Sequence, residues 1–201
     1  VYVKKKSKST YRKKPYRKNL FLIGFIFGFG FYLSGIFWIA YSLTFDENFK
    51  ILIPFSVIII PLFLSIFTGL ATLLAGQFLT NNFVSLLIFS SSFALSDFIR
   101  GKVLTGFPWN IWGYSWSWFA EILQTLNLLG LYAFNLLAIT IFTIPATLFF
   151  KSTISKKILT ISVTSIFVFA TYIYGTYSLN KNFKFLKNIE SKNKFHTKII
   201  S

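Results

Sequence analysis

Residues 96–118 read SDFIRGKVLTGFPWNIWGYSWSW, and they interrupt a chain that otherwise consists of long apolar runs. The stretch contains a carboxylate at Asp97 and cations at Arg100 and Lys102. It also contains residues that disfavour a helix, which are Gly101, Gly106, Pro108 and Gly113. Its tryptophans, whose indole rings favour the membrane–water boundary, are Trp109, Trp112, Trp116 and Trp118. The stretch therefore predicts a helix that ends at the bilayer surface, followed by an irregular aromatic loop in the interface.

The composition indicates a polytopic membrane protein. Of the 201 residues, 54% are hydrophobic and 13% are charged, whereas a soluble domain has about 25% charged residues. The net charge of +16 comes mainly from cations near the two ends of the chain, outside the apolar runs. This distribution suits anionic lipid headgroups, so the expected partners are membrane lipids and not nucleic acid.

The uncharged runs predict an all-α membrane protein, a bundle of about five transmembrane helices with an aromatic interfacial loop. Residues 51–96 would extend roughly 69 Å as one helix, more than twice the hydrocarbon core of about 30 Å, so this run must fold back near residues 77–82. The expected spans are residues 20–43, 51–79, 83–99, 122–150 and 158–179. A basic cytoplasmic segment at 1–19 precedes this domain of residues 20–179, and an extracytoplasmic linker at 180–201 follows it.

Small residues four positions apart occur twice in the first span, as Gly24 with Gly28 and as Gly30 with Ser34. This spacing allows another helix to approach closely, so we expect helix packing at both pairs.

The chain lacks the usual residues of a catalytic or metal site. It contains no cysteine, and its single histidine, His196, lies in the polar tail. The acidic residues are scattered, so we expect no metal ion and no cofactor. Asp97 and Arg100 stand three residues apart and share a helix face, which predicts an ion pair. The alternative is that Arg100 extends to the lipid headgroups.

The role of the aromatic loop stays open at this point. A tryptophan-rich loop after a membrane helix is usually an interfacial anchor. An anchor needs only one or two aromatic residues, whereas this loop places Gly106, Phe107, Pro108 and Trp109 beside a charge pair. We therefore keep both interpretations, an anchor and a loop that contacts substrate.

Three parts of this stretch resemble the signature of bacterial apolipoprotein N-acyltransferases. They are Asp97-Phe98-Ile99-Arg100-Gly101, Leu104-Thr105-Gly106-Phe107-Pro108-Trp109 and Gly113-Tyr114-Ser115. Further similarity lies upstream at residues 28–38 and downstream around Gly130 and Tyr132, and the resemblance covers roughly residues 18–201. Lys102 and Trp116 depart from the family pattern, which usually has a bulky apolar residue and often a glutamine at these positions.

The resemblance implies a multi-pass enzyme of the bacterial inner membrane that acts as a monomer. Its acyl donor is a phospholipid, and its acceptor is the amino group of a diacylglyceryl-modified lipoprotein cysteine. The family's catalytic cysteine, glutamate and lysine belong to a nitrilase-like domain, and residues 195–201 look like the first strand of that domain. We therefore expect a fragment, truncated at both ends, that has no catalytic residue of its own and is inactive alone.

The resemblance also implies which residues lie beside the lipid substrates. They are Arg100, Gly106, Phe107, Pro108, Trp109 and Tyr114. In this role Arg100 would hold the phosphate of the donor lipid, with Asp97 orienting it. The competing interpretations are a small multi-pass transporter and a purely structural membrane subunit. A transporter would place polar groups along a path through the membrane, and only Gln77 and Asn135 suggest such groups.

Overall fold

The computed structural model describes residues 14–79, 82–103, 108, 110–150 and 152–188, and this part of the chain is helical without any strand. The α-helices are α1 (Lys14–Ile36), α2 (Ile39–Ser42), α3 (Ile53–Gly76), α4 (Phe83–Arg100), α5 (Ala120–Leu123), α6 (Leu126–Leu129), α7 (Leu131–Thr143) and α8 (Ile154–Asn188). The 3₁₀ helices are Glu47–Leu52, Trp112–Trp116 and Ile144–Phe149.

Five segments are long and apolar enough to cross a membrane, which confirms the predicted fold class. They are Tyr16–Ile36, Glu47–Gly76, Phe83–Arg100, Leu131–Phe149 and Ile154–Lys187. The predicted fold-back also occurs, since α3 ends at Gly76 and the side chain of Asn82 caps α4 by accepting from the Ser85 N–H.

The structure differs from the expected bounds at the fourth and fifth spans. The fourth begins at Leu131 and not at residue 122, because Gly130 adopts a φ of 74° that ends the short helix before it. The fifth continues beyond residue 179 to Asn188, through lysines that are good helix formers. The strand expected at residues 195–201 lies outside the described residues.

Helices α1 and α3 pack closely where α1 has glycines. A Cβ atom at Gly24 would lie 2.0 Å from Thr72 Oγ1, and one at Gly28 would lie 1.9 Å from Thr68 Oγ1. The packing expected at this pair is therefore confirmed. At Gly30 a Cβ atom would meet no described atom within 4 Å, and the Ser34 hydroxyl donates to the Gly30 carbonyl of its own helix. The same expectation was thus wrong for the second pair.

The helices follow one another in space, with α3 between α1 and α4, and α4 between α3 and α7. Helix α8 lies outside this group and is attached mainly through α5 and the 3₁₀ helix Ile144–Phe149. At the first attachment α8 comes so close that a Cβ atom on Gly175 would lie 1.8 Å from the Glu121 carbonyl oxygen. At the second, Lys157 Nζ donates to the Leu148 carbonyl at 2.6 Å.

Candidate functional site

The last turn of α4 carries a buried ion pair. Arg100 Nη2 lies 2.9 Å from Asp97 Oδ1, and the two side chains are 1% and 5% exposed. Because the guanidinium is enclosed by protein, it does not extend to the headgroups, which was the alternative interpretation of Arg100. An unpaired charge buried in an apolar bundle would destabilise the fold. The ion pair avoids this, because each side chain neutralises the other.

A single amide joins this ion pair to the aromatic loop. Asn135, in α7, is fully buried, and its Nδ2 donates to Asp97 Oδ2 at 2.8 Å. Its Oδ1 accepts from the Gly113 N–H at 2.9 Å. These two partners determine the orientation of the amide, because the carboxylate requires a donor and the N–H requires an acceptor. Asn135 thereby connects α4, α7 and the 3₁₀ helix Trp112–Trp116 through one side chain.

Two tyrosines complete the surroundings of Arg100 and the end of α4. The guanidinium carbon of Arg100 lies 5.1 Å from the ring centre of Tyr32, a buried residue of α1, at a distance typical of a cation–π contact. The hydroxyl of Tyr132, from α7, occupies the space where a Cβ atom of Gly101 would lie, 2.1 Å away. Gly101 therefore allows the chain to leave α4 against α7.

Two of the loop's tryptophans pack into the helical bundle. The Trp112 ring stacks on Phe31 of α1 with centroids 4.5 Å apart, and the Trp116 ring stacks on Phe142 of α7 at 5.7 Å. These two rings therefore contact helices of the bundle and are partly buried, whereas the interfacial position of the loop stays a prediction. Trp118 is 90% exposed.

Asn110 holds the beginning of the same loop against α1. It is the only described non-glycine residue with a positive φ, at 43°, a conformation that asparagine tolerates better than most residues. Its side-chain amide lies where a Cβ atom of Gly35 would be, within 2.0 Å, so this contact requires a glycine at that position.

Two of the other residues expected beside the substrates, Pro108 and Tyr114, belong to the described part of the chain. Pro108 is half-buried, and Tyr114 is 42% exposed. Gly106, Phe107 and Trp109 lie outside the described residues. Partial burial raises the pKa of the Tyr114 phenol above its ordinary value of 10.0, Tyr132 adds to the increase and Arg100 opposes it. At neutral pH the exposed phenol is therefore protonated and can donate a hydrogen bond.

The role of Asn135 was not predicted from the sequence. This residue was interpreted only as a possible mark of a transport path, because the one local signal is an amide in an otherwise uncharged run. Within the described residues there is no group of three or more His, Cys, Asp or Glu side chains that could hold a metal ion.

Comparison with known proteins assigns the family. Residues 9–144 match the family model described as the apolipoprotein N-acyltransferase N-terminal domain. This chain belongs to the apolipoprotein N-acyltransferase family. The matched region includes the ion pair, Asn135 and the aromatic loop, and it confirms the resemblance found in the sequence.

Curated proteins named apolipoprotein N-acyltransferase are similar over most of the chain. The protein from Bradyrhizobium diazoefficiens is 40% identical over 128 residues, which are 63% of this chain and 24% of that protein. The one from Rhodopseudomonas palustris is 32% identical over 137 residues, 68% of this chain and 26% of that protein. The one from Rickettsia bellii is 32% identical over 161 residues, which are 80% of this chain and 32% of that protein. The chain thus spans about a quarter to a third of these relatives, and no solved structure matches it significantly.

Proposed function

We propose that this chain forms the membrane-embedded part of an apolipoprotein N-acyltransferase in the bacterial inner membrane. The reaction transfers an acyl chain from a phospholipid to the N-terminal amino group of a diacylglyceryl-modified lipoprotein cysteine. The observation that carries the proposal is the family match over residues 9–144, which contains the whole buried network. Membership of an acyltransferase family also favours this function over a transporter or a structural subunit.

Two buried hydroxyls of α3 support the same choice. Thr68 donates to the Ser65 carbonyl and Ser65 donates to the Pro61 carbonyl, both within this helix. These groups are satisfied locally, and the charges of Asp97 and Arg100 are satisfied by each other. Such an arrangement suits a rigid membrane platform better than a polar path for a solute.

In this proposal the network orders the loop, and other residues contact the lipids. Arg100 is buried and contacts Asp97 and Tyr32, so it neutralises Asp97, which Asn135 links to the loop, and does not bind a phosphate. The exposed Tyr114 is suited to donate to a lipid headgroup. Gly106, Phe107, Pro108 and Trp109 retain their proposed position beside the substrates. Gly106 permits a tight turn and Pro108 stiffens it, so the two aromatic rings are presented together.

The proposal predicts that this chain supports acyl transfer only together with a thiol-bearing catalytic domain. In proteoliposomes with a diacylglyceryl-cysteine peptide, the chain alone should give no acylated product, because it has no cysteine for a thioester intermediate. A chimera in which residues 14–150 replace the matching region of the Bradyrhizobium diazoefficiens enzyme should restore lipoprotein N-acylation in a strain depleted of its own enzyme.

The matched control is the same chimera with Asn135→Leu, which removes the link between Asp97 and the loop. It should insert in the membrane but acylate more slowly. A correctly inserted parent chimera without activity would contradict the proposed function. Product formed by the chain alone would contradict the division of roles.

Sidedness is a second prediction, because five spans place the loop and the C-terminal end of α8 on the same face. The chain has no native thiol, so single cysteines can be introduced at exposed positions. In spheroplasts, an impermeant maleimide should label Ser117→Cys and Asn182→Cys from outside. The control Thr153→Cys, between the fourth and fifth spans, should react only after lysis. Labelling of only one of the first two would refute the five-span arrangement.

A further inference from the structure

A slot separates the middle of α8 from the rest of the bundle. It is a cavity of about 620 Å³ lined mostly by apolar side chains, among them Trp116, Ile141, Ile144, Ile161, Val168 and Phe169. The slot is open along its side, since Phe169 is 64% exposed although it lines the cavity. In a membrane-spanning bundle, this opening faces the lipid.

The two attachments of α8 mark the ends of the slot. Gly175 contacts the backbone at Glu121 on one side, and Lys157 bonds to the Leu148 carbonyl on the other. The lining residues of α8 between these points run from Ile161 to Tyr172, a rise of about 16 Å. That length corresponds to about one leaflet of a hydrocarbon core roughly 30 Å thick.

The size of the slot and its apolar lining indicate which kind of molecule fills it. Water gains little from an apolar lining, and an empty slot would forfeit the van der Waals contacts of its walls. A narrow, flexible hydrocarbon chain suits both the apolar lining and the length of the slot.

Two lysines stand where the headgroup of such a lipid would lie. Lys157 is one helical turn before Ile161 and so shares its face of α8, and Lys156 is its neighbour. An ammonium group has three N–H donors, so the bond from Lys157 to Leu148 leaves two for an anionic oxygen. The two lysines at this end suit the phosphate of a phospholipid, and the apolar slot beyond them suits one of its acyl chains.

We propose that one acyl chain of a membrane phospholipid occupies the slot between α8 and the bundle, with the lipid phosphate at Lys156 and Lys157. The bound lipid fills the space that α8 leaves open and holds this helix in place. The inference concerns lipid binding alone, and it does not depend on acyl transfer by the protein.

Photo-crosslinking of the full chain tests this site. The protein is placed in vesicles of phosphatidylethanolamine and phosphatidylglycerol that contain a trace of phosphatidylglycerol with a diazirine halfway along one acyl chain. After illumination, peptide mass spectrometry should find adducts at Ser165 and Val168, which line the slot, several-fold more often than at Val163 and Ala170. The latter two are exposed on the opposite face of α8 and report ordinary contact with bulk lipid.

Two pairs of variants complete the test. Ser165→Trp should fill the slot and lower the Val168 adduct several-fold, whereas Val163→Trp should leave it unchanged. Lys156→Gln with Lys157→Gln should lower the same adduct, and Lys184→Gln with Lys187→Gln should not. Equal labelling of both faces in the unaltered protein, or crosslinking of the slot to a second copy of the chain, would overturn the proposal. A folded Ser165→Trp protein with full labelling at Val168 would do the same, and the map of the unaltered protein stays decisive if that variant fails to fold.

Discussion

Replacing Asp97 with asparagine is expected to lower the free energy of unfolding by about 3–5 kcal/mol, because the charge of Arg100 would remain buried without its counter-ion. Replacing Arg100 with glutamine should have a similar effect through the carboxylate that is left. Both side chains are at most 5% exposed, so water cannot take the place of the missing partner. The measurement is reversible unfolding in mixed micelles for both single variants and the double variant.

The double variant shows whether Asp97 and Arg100 stabilise the fold as a pair or independently of each other. If the charges stabilise each other, Asp97→Asn with Arg100→Gln should cost clearly less than the sum of the single changes. The exposed pair of Glu47 and Lys50 is a matched control at the same i,i+3 spacing. Glu47→Gln should change stability by no more than about 1 kcal/mol, as is usual for pairs in contact with water. Strict additivity at Asp97 and Arg100 would rule out the coupling.

Gly175→Ala should destabilise the attachment of α8 by about 1–3 kcal/mol, the usual cost of forcing an extra group into a packed contact. The added Cβ atom would lie 1.8 Å from the carbonyl oxygen of Glu121. That oxygen belongs to the backbone and cannot rotate away as a side chain can, so α8 or α5 must move. The loss should exceed the gain of about 1 kcal/mol that alanine brings to a helix interior.

Gly30→Ala is the matched control for this change. It makes the same substitution in a membrane-spanning helix, but its new Cβ atom meets no described atom within 4 Å. Gly30→Ala should therefore be neutral or stabilising by up to about 1 kcal/mol. Unfolding midpoints and hydrogen exchange of residues 120–123 and 172–178 report the global and local effects. Equal stability of the two variants would show that α8 does not depend on this close approach.

The sequence predicted those features of the site that depend on neighbours along one helix. Asp97 and Arg100 are three residues apart, so helical geometry alone brings them to one face. The contacts of Asn135 join residues that are 38 and 22 positions apart, with Asp97 and Gly113 respectively. No local pattern indicates such partners, because they depend on how α7 packs against α4 and the loop.

The aromatic loop shows the same limit. Its composition correctly predicts a break after α4, because glycine and proline act on the backbone locally. Composition could not tell which tryptophan rings stack on rings of other helices. Trp112 and Trp116 find phenylalanine rings on α1 and α7, whereas Trp118 remains exposed. An indole ring is suited to either environment, so the positions of neighbouring helices decide between them.

By itself, the sequence determined that this chain is a bundle of helices in a membrane, since long uncharged runs must satisfy their backbone hydrogen bonds internally. It also determined the family, because the residues that carry the resemblance are contiguous. Tertiary structure alone decided that the charge pair is buried, that Asn135 connects it to the loop, and that α8 stands apart with a slot beside it. These properties arise from contacts between distant helices. A local pattern can mark a close approach, as Gly24 and Gly28 do, but it does not name the partner residues.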